Sequence, residues 1–277
     1  LFNRCLASGL ILTDSSGRVA CFEDVMSDVS QELPLISLGI IGFGAFGQLI
    51  TEHLGPHFDI RVFDIAPDIA RAERLGVSVV SLEAAAQCAI VVLAMPVSRM
   101  RDVLIEIAPH LKPATLVLDV GSVKTGPAAM MKELLPYTVE IVATHPLFGP
   151  QSARGGIRGL RIAVCPVRGP HLRVAAFFRR LGLVVIITTP DDHDRDAAQV
   201  QGLTHLVANL LLQMDLRQTR LTTKSFDALM SAVDMVRHDA PEVFQAILGA
   251  NPYAGDMIRQ FKSVTSALDM PSALSRP

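Results

Sequence analysis

Leu38-Gly39-Ile40-Ile41-Gly42-Phe43-Gly44-Ala45-Phe46-Gly47, a helix-length run, and then Asp59-Ile60-Arg61-Val62-Phe63-Asp64 form the stretch that decides the fold. Leu38 to Ile41 reads as a buried strand, and Gly42, Gly44 and Gly47 give the G-x-G-x-x-G spacing at the turn into a helix. Each glycine answers a different demand. Gly42 permits a tight turn, Gly44 lets the backbone approach a pyrophosphate, and Gly47 lets the helix pack close to the strand. The helix N-terminus then offers unpaired N–H groups and positive dipole charge to the phosphates. The second strand ends in Asp64, twenty residues beyond Gly44, where a carboxylate meets a ribose 2′-hydroxyl. A glycine-rich turn with a coincidental Asp is the alternative, and the strand on either side argues against it. Gly42, Phe43, Gly44, Ala45, Phe46, Gly47 and Asp64 are therefore read as cofactor-binding positions.

Outward from this unit the chain alternates short apolar strands with amphipathic helices. Strands are expected at Val77–Val80, Ala89–Ala94, Thr115–Val120, Glu140–Ala143, Arg161–Cys165 and Leu183–Thr188, with helices between them. Such alternation predicts an α/β fold, a Rossmann-type doubly wound, mostly parallel sheet. From Asp191 onward the pattern is helical, beginning with one long helix over Asp191–Met214. The expected division is an N-terminal arm or hairpin over 1–36, a dinucleotide-binding domain over 37–189 and a smaller all-helical substrate and dimerisation domain over 190–277. A helical domain this small and this apolar cannot easily bury its helices alone, so a homodimer is expected.

Of 277 residues, 50% are hydrophobic, and the net charge is only −2. No basic stripe with interleaved aromatics points to nucleic acid, and no apolar run is long enough to span a membrane. The four cysteines lack metal-ligand spacing, and no His/Cys cluster or carboxylate pair suggests a metal. Cys88 and Cys165 sit in apolar segments and are expected as buried free thiols. With no signal-peptide pattern, cytoplasmic residence is expected.

Ligands of open α/β sheets lie beyond the carboxyl ends of the strands. Three such ends carry unusual residues: Ala94-Met95-Pro96, whose Met95 and Pro96 are positioned to pass under a cofactor; Asp119-Val120-Gly121-Ser122-Val123-Lys124; and Thr144-His145-Pro146-Leu147-Phe148-Gly149-Pro150. Ser122 and His145 thus emerge at the same edge as the glycine turn. An imidazole beside a hydroxyl suits hydride transfer: His145 takes a proton from a substrate hydroxyl and Ser122 orients the ring. His145 as a turn cap and Ser122 as a helix N-cap are the structural alternatives. Lys124 reads as a solvated helix residue, and His193 and Asp194 as cap-region residues. On the long helix, Gln201, His205 and Asn209 recur at i, i+4 and i+8 on one polar strip. That strip either faces solvent or lines a cleft.

With these motifs the chain resembles the prephenate/arogenate dehydrogenase family of tyrosine biosynthesis. The resemblance rests on Gly42 to Gln48, Asp119 to Lys124, Thr144 to Pro150, His193-Asp194 and Gln201-Gly202-Leu203-Thr204-His205, and runs from about Leu38 to about Leu268. The wording is nearest to plant-like arogenate dehydrogenases. It implies oxidative decarboxylation of a cyclohexadienyl acid, with His145 and Ser122 as catalytic residues and Gln201, Thr204 and His205 binding substrate. It also implies a dimer through the helical domain. Many prephenate-using members carry an Arg near the segment matching Asp227 to Val233, which has none here. Gln151 stands where several relatives have Glu. The side chain, pyruvyl or alanyl, is thus left open. Asp64 would repel a 2′-phosphate and Ile65-Ala66-Pro67 bring no cation, so NAD is favoured, with NADP possible if Arg61 or Arg71 folds over. A β-hydroxyacid dehydrogenase or imine reductase would call for a Lys on the long helix, where His205 stands. A non-catalytic dinucleotide-binding module would bind cofactor without turnover.

Overall fold

A computed structural model describes residues 12–13, 19–20, 34–214, 216–217 and 219–267. Two compact units are present, Leu1–Leu35 and Ile36–Pro277. In the first, β1 (Leu12–Thr13) and β2 (Val19–Ala20) form an antiparallel ladder, Leu12 opposite Ala20 and Thr13 opposite Val19. The rest of the expected arm, with Cys5 and Cys21, lies outside the described residues.

The second unit is organised by one eight-stranded sheet. Its strands are β3 (Ser37–Ile41), β4 (Asp59–Phe63), β5 (Ser78–Val79), β6 (Ile90–Leu93), β7 (Leu116–Asp119), β8 (Glu140–Pro146), β9 (Arg161–Arg168) and β10 (Val184–Ile187). They lie in the order β10-β9-β8-β7-β6-β3-β4-β5. All neighbours are parallel except β8 and β9. This is the mostly parallel, doubly wound sheet that the strand–helix alternation requires. The chain leaves β3 toward β4 on one side and returns through β6 on the other, so the crevice between β3 and β6 is the switch point where such sheets bind ligands.

The helices α1 (Ala45–Leu54), α2 (Ile69–Leu75), α3 (Leu82–Ala86), α4 (Met100–Ile107), α5 (Thr125–Leu134) and α6 (His171–Arg180) cover the sheet. Local signals set their starts: Asp68 accepts from the Arg71 N–H and Ser81 from the Ala84 N–H. Side-chain alternation divides the core between the two faces. Ile41, Val91, Leu93, Val117 and Ile141 meet Leu104, Ile107 and Met131, while Leu38, Ile40, Val62, Val92 and Val142 meet Leu54, Ala72 and Val174. Each fully buried side chain of this size contributes about 1.5–3 kcal/mol. On the second face a cavity of about 730 Å³ lies between α1 and α6.

Two elements differ from the sequence reading. Strand β8 runs on to Pro146 because β9 pairs with it antiparallel, His145 opposite Ala163, so His145 sits inside a ladder rather than in the loop beyond it. The expected long helix is divided into α7 (Pro190–Ala197), a π-turn over Ala198–Gly202 and α8 (Leu203–Gln213). π-turns of this kind cluster at functional sites. Beyond them come α9 (Lys224–Val236), α10 (Pro241–Gln245), a second π-turn over Ala246–Ala250, and α11 (Ala254–Ser266). Among the described residues no strand follows β10, and no helix is long and apolar enough to cross a membrane.

Candidate active site

The glycine turn is held between two strand ends, the Gly42 N–H donating to Phe63 O at 2.8 Å and the Ala94 N–H to Ile41 O at 2.7 Å. Gly42 has φ of +104°, and a Cβ there would meet the Ala94 carbonyl and the Met95 nitrogen, so only glycine fits. A Cβ on Gly47 would lie 2.1 Å from Gly42 O, which makes the helix–turn contact equally exclusive. Gly44 is different: nothing stands within 4 Å of its absent Cβ. It is the N-cap of α1 and offers no side chain to the first-turn N–H groups. That open cradle at a helix N-terminus fits a pyrophosphate. Phe43 is buried, Ala45 and Pro96 are exposed, and Phe46 and Met95 are half-buried. The Asp64 carboxylate lies across the turn, accepting from Phe43 N–H at 2.7 Å and Ala66 N–H at 2.9 Å.

The ring of Phe46 stands 6.2 Å from that of Phe148, which brings the glycine turn against the segment that carries His145. His145 is 3% exposed, and its Nδ1 lies 2.8 Å from Nε2 of His193. Nδ1 of His193 lies 2.8 Å from Oδ1 of Asp194. A carboxylate only accepts, so the His193 proton is on Nδ1, its Nε2 accepts, and Nδ1–H of His145 donates. Nε2 of His145 is left with its lone pair. Burial, then the neighbouring His193 and Lys124, hold His145 well below the ordinary imidazole range. A neutral imidazole with a free Nε2 is ready to accept a proton.

Asp194 has no exposed surface and is the hub of this network. Its carboxylate also accepts the backbone N–H groups of Lys124 at 2.6 Å and Thr125 at 2.8 Å, capping α5 from the helical half of the chain. Burial pushes its carboxyl up, and the hydrogen bonds from His193, Thr125 and Lys124 outweigh that and hold it below the usual carboxylate range. Asn251 Nδ2 donates to the Asp194 carbonyl at 2.8 Å, tying in α11. Lys124 is likewise fully buried, its Nζ donating to Asp119 and to Thr144 O. Burial pushes Asp119 up, with the Lys124 ammonium opposing it. Cys165, on β9 behind the site, is pushed up to about 12 by burial, so its thiol stays neutral.

His193, Asp194 and Lys124 are thus buried parts of the site, where the sequence suggested cap and surface residues. Thr189, not His193 or Asp194, caps α7, its hydroxyl accepting from Asp192 N–H. Ser122 is half-buried on the β7–α5 loop, and among the described residues His193, not Ser122, holds the His145 ring.

The opposite wall comes from the helical half. His205 is buried, and its Nε2 lies 3.7 Å from Oδ2 of Asp239. Oδ1 of Asp239 lies 3.9 Å from the Cβ position of Gly149, four residues beyond His145. Burial lowers His205 and raises Asp239, each opposed by the other. Gln201 sits in the π-turn with its buried Oε1 lacking a hydrogen-bond partner among the described residues. Thr204 is separated from this wall. It is exposed, its hydroxyl donates to Val200 O, and it borders a small cavity toward α9.

The chain is similar in sequence and in fold to known dehydrogenases. Residues 51–160 match the family model described as prephenate dehydrogenase, nucleotide-binding domain. The chain is 29% identical over 242 residues to arogenate dehydrogenase 1, chloroplastic, of Arabidopsis thaliana, covering 82% of this chain and 37% of that protein. It is 30% identical over 235 residues to a probable arogenate/prephenate dehydrogenase of Methanocaldococcus jannaschii, covering 80% of this chain and 50% of that protein. The chain therefore spans half or less of the length of these two curated relatives. The prephenate dehydrogenase of A. aeolicus, crystallised with hydroxyphenyl propionate and NAD+, shares the fold with a TM-score of 0.67 at 21% identity, covering 85% of this chain and 90% of that one. Synechocystis arogenate dehydrogenase does so with a TM-score of 0.63 at 18% identity, covering 83% and 90%. On motifs, fold and sequence similarity together, the chain is similar to the prephenate/arogenate dehydrogenase family.

Proposed function

We propose that the chain is an NAD-dependent dehydrogenase that oxidatively decarboxylates a cyclohexadienyl acid, with arogenate as the favoured substrate. The observation that carries this reading is the Asp194–His193–His145 chain, which leaves the Nε2 lone pair of His145 on the strand whose following segment meets the glycine turn through Phe148 and Phe46. His145 takes the proton of the ring hydroxyl, and Ser122 binds the same oxygen. NAD, when bound on Gly42 to Gly47 and Asp64, supplies the hydride acceptor. The ring carboxylate leaves as carbon dioxide, and its electron pair completes the aromatic ring. Gln201 and His205 line the substrate side, where the unpartnered Oε1 of Gln201 asks for a donor. The test is incubation with arogenate or prephenate and either cofactor, following reduced cofactor and aromatic product. The reading fails if no combination gives both.

The choice between substrates turns on Asp239. Arogenate and prephenate differ where one carries an ammonium and the other a keto oxygen. Asp239 is a half-buried carboxylate whose neighbour, His205, is kept neutral by burial. Such a carboxylate needs a cationic donor. In Asp239→Asn, kcat/KM for arogenate falls by roughly 10- to 100-fold, the equivalent of the about 1.5–3 kcal/mol of a hydrogen bond to a charged group, while prephenate is affected less. Equal losses for both substrates would remove Asp239 from this role.

Cofactor choice follows from Asp64. Its two oxygens hold the turn, and the cations nearest in sequence are engaged elsewhere, Arg61 with Asp59 and Arg71 with Glu52. A 2′-phosphate would meet a carboxylate with no cation to offset it. Wild-type kcat/KM is therefore expected to favour NAD over NADP by roughly tenfold or more. A preference for NADP would overturn the assignment.

The helical half also supports a homodimer. Leu203, Leu210 and Met214 are exposed in the single chain, as are Leu221, Leu229 and Met235. Apolar exposure on this scale is covered by a second copy in our reading.

A further inference from the structure

Lys124 has no accessible surface, an unusual setting for an ammonium. Its Nζ donates to Asp119 Oδ2 and, at 2.6 Å, to Thr144 O. Asp119 accepts the Thr144 N–H at 3.3 Å through Oδ1 and the Thr144 hydroxyl at 2.6 Å through its carbonyl. Every polar group of Thr144, the residue before His145, therefore ends on Lys124 or Asp119. The Lys124 backbone N–H donates to Oδ1 of Asp194, the oxygen that also holds His193. A buried ion pair adds little net stability, because desolvation offsets much of the attraction. Here it reaches the base from two directions.

We propose that Lys124 is a positioning residue for His145: its Nζ clamps the peptide that precedes the base, and its N–H holds the Asp194–His193 arm that orients the ring. The inference rests on the reading of His145 as the base. The ionisable groups that act on the ring are His193, bonded to it, and Lys124; Asp194 stands behind His193 and Asp119 is paired with Lys124. Burial, His193 and Lys124 all disfavour a protonated His145. Removing the lysine charge acts the other way, toward protonation at higher pH.

The test compares wild type, Lys124→Gln and the double variant Lys124→Met/Asp119→Asn, which leaves no unpaired charge buried. NMR of the cofactor-free protein follows titration of the His145 ring, and steady-state kinetics and NAD titration follow function. In Lys124→Gln the ring is expected to titrate at higher pH than in wild type. In both variants kcat/KM is expected to fall roughly 100-fold, with NAD affinity within about threefold. A lysine that only stabilises the fold would lower Tm and change neither the ring titration nor kcat/KM by more than about threefold. That result, in whichever variant folds, overturns the proposal. A moved titration in a protein that turns over none of the substrates keeps the positioning role and removes the dehydrogenase reading.

Discussion

His145→Asn is expected to lower kcat by roughly 100- to 10,000-fold at neutral pH while NAD affinity stays within about threefold of wild type. The asparagine side chain keeps a donor for His193 but has no group that takes a proton in this pH range, so the loss reports on the base and not on the network. The dinucleotide cradle depends on Gly42, Gly44, Gly47 and Asp64, which His145 does not touch. The pH profile gives a second reading. The His145 pKa is depressed, so the active, neutral form persists as pH falls through the ordinary imidazole value of about 6.5 and is lost only below it. The acidic limb of wild-type kcat/KM therefore lies below that value. A limb at or above it, or a loss of kcat under about tenfold, would assign the proton to another group. The same depression makes His145 contribute stability that is fully present above the unfolded imidazole value and is lost as pH falls toward the folded one.

Asp194→Asn is expected to lose kcat by roughly 100- to 10,000-fold and to lower stability by about 2 kcal/mol. An amide in place of the carboxylate can present N–H to Nδ1 of His193. The His193 proton then moves to Nε2, His145 must accept on Nδ1, and its Nε2 becomes protonated and useless as a base. The stability loss has a separate source: with the amide nitrogen at the Oδ1 position the Lys124 N–H loses its acceptor, and the Thr125 N–H keeps only a neutral one. Because the folded pKa of Asp194 is depressed, its contribution to stability is present above the unfolded carboxylate value and is lost as pH falls through the folded one. The variant should flatten that acid dependence. Kinetics at a temperature where both proteins are folded separate the two effects. A folded variant with kcat within about threefold of wild type would remove Asp194 from the proton chain.

Several features of the site were legible in the sequence because each is local. The glycine spacing, the strand before it and the Asp at the end of the next strand lie within one β–α–β unit whose dimensions are set by strand and helix geometry. His145 was legible because the apolar pattern places it at a strand edge, although the pattern ended β8 at Ala143. The longer strand depends on β9 arriving antiparallel, and strand direction is a property of the whole sheet. The strip of Gln201, His205 and Asn209 was legible from its spacing, but periodicity left open whether it faces solvent or lines a cleft. Packing against the rest of the chain decides that His205 is buried and Thr204 exposed.

The sequence by itself determined the glycine-rich turn, the doubly wound sheet, a histidine just past a strand end and the helical half that follows. Only the tertiary structure decided what holds that imidazole. Asp194 is 70 residues from Lys124, and His193 is 48 from His145. Neither spacing leaves a periodic trace, because the contacts run between elements and not along one. A lysine after Gly121-Ser122-Val123 looks like the wet start of a helix, and an acidic run after Pro190 looks like its capped end. The fold brings the two together and excludes water. There a charge must be paired and an imidazole must settle on one tautomer.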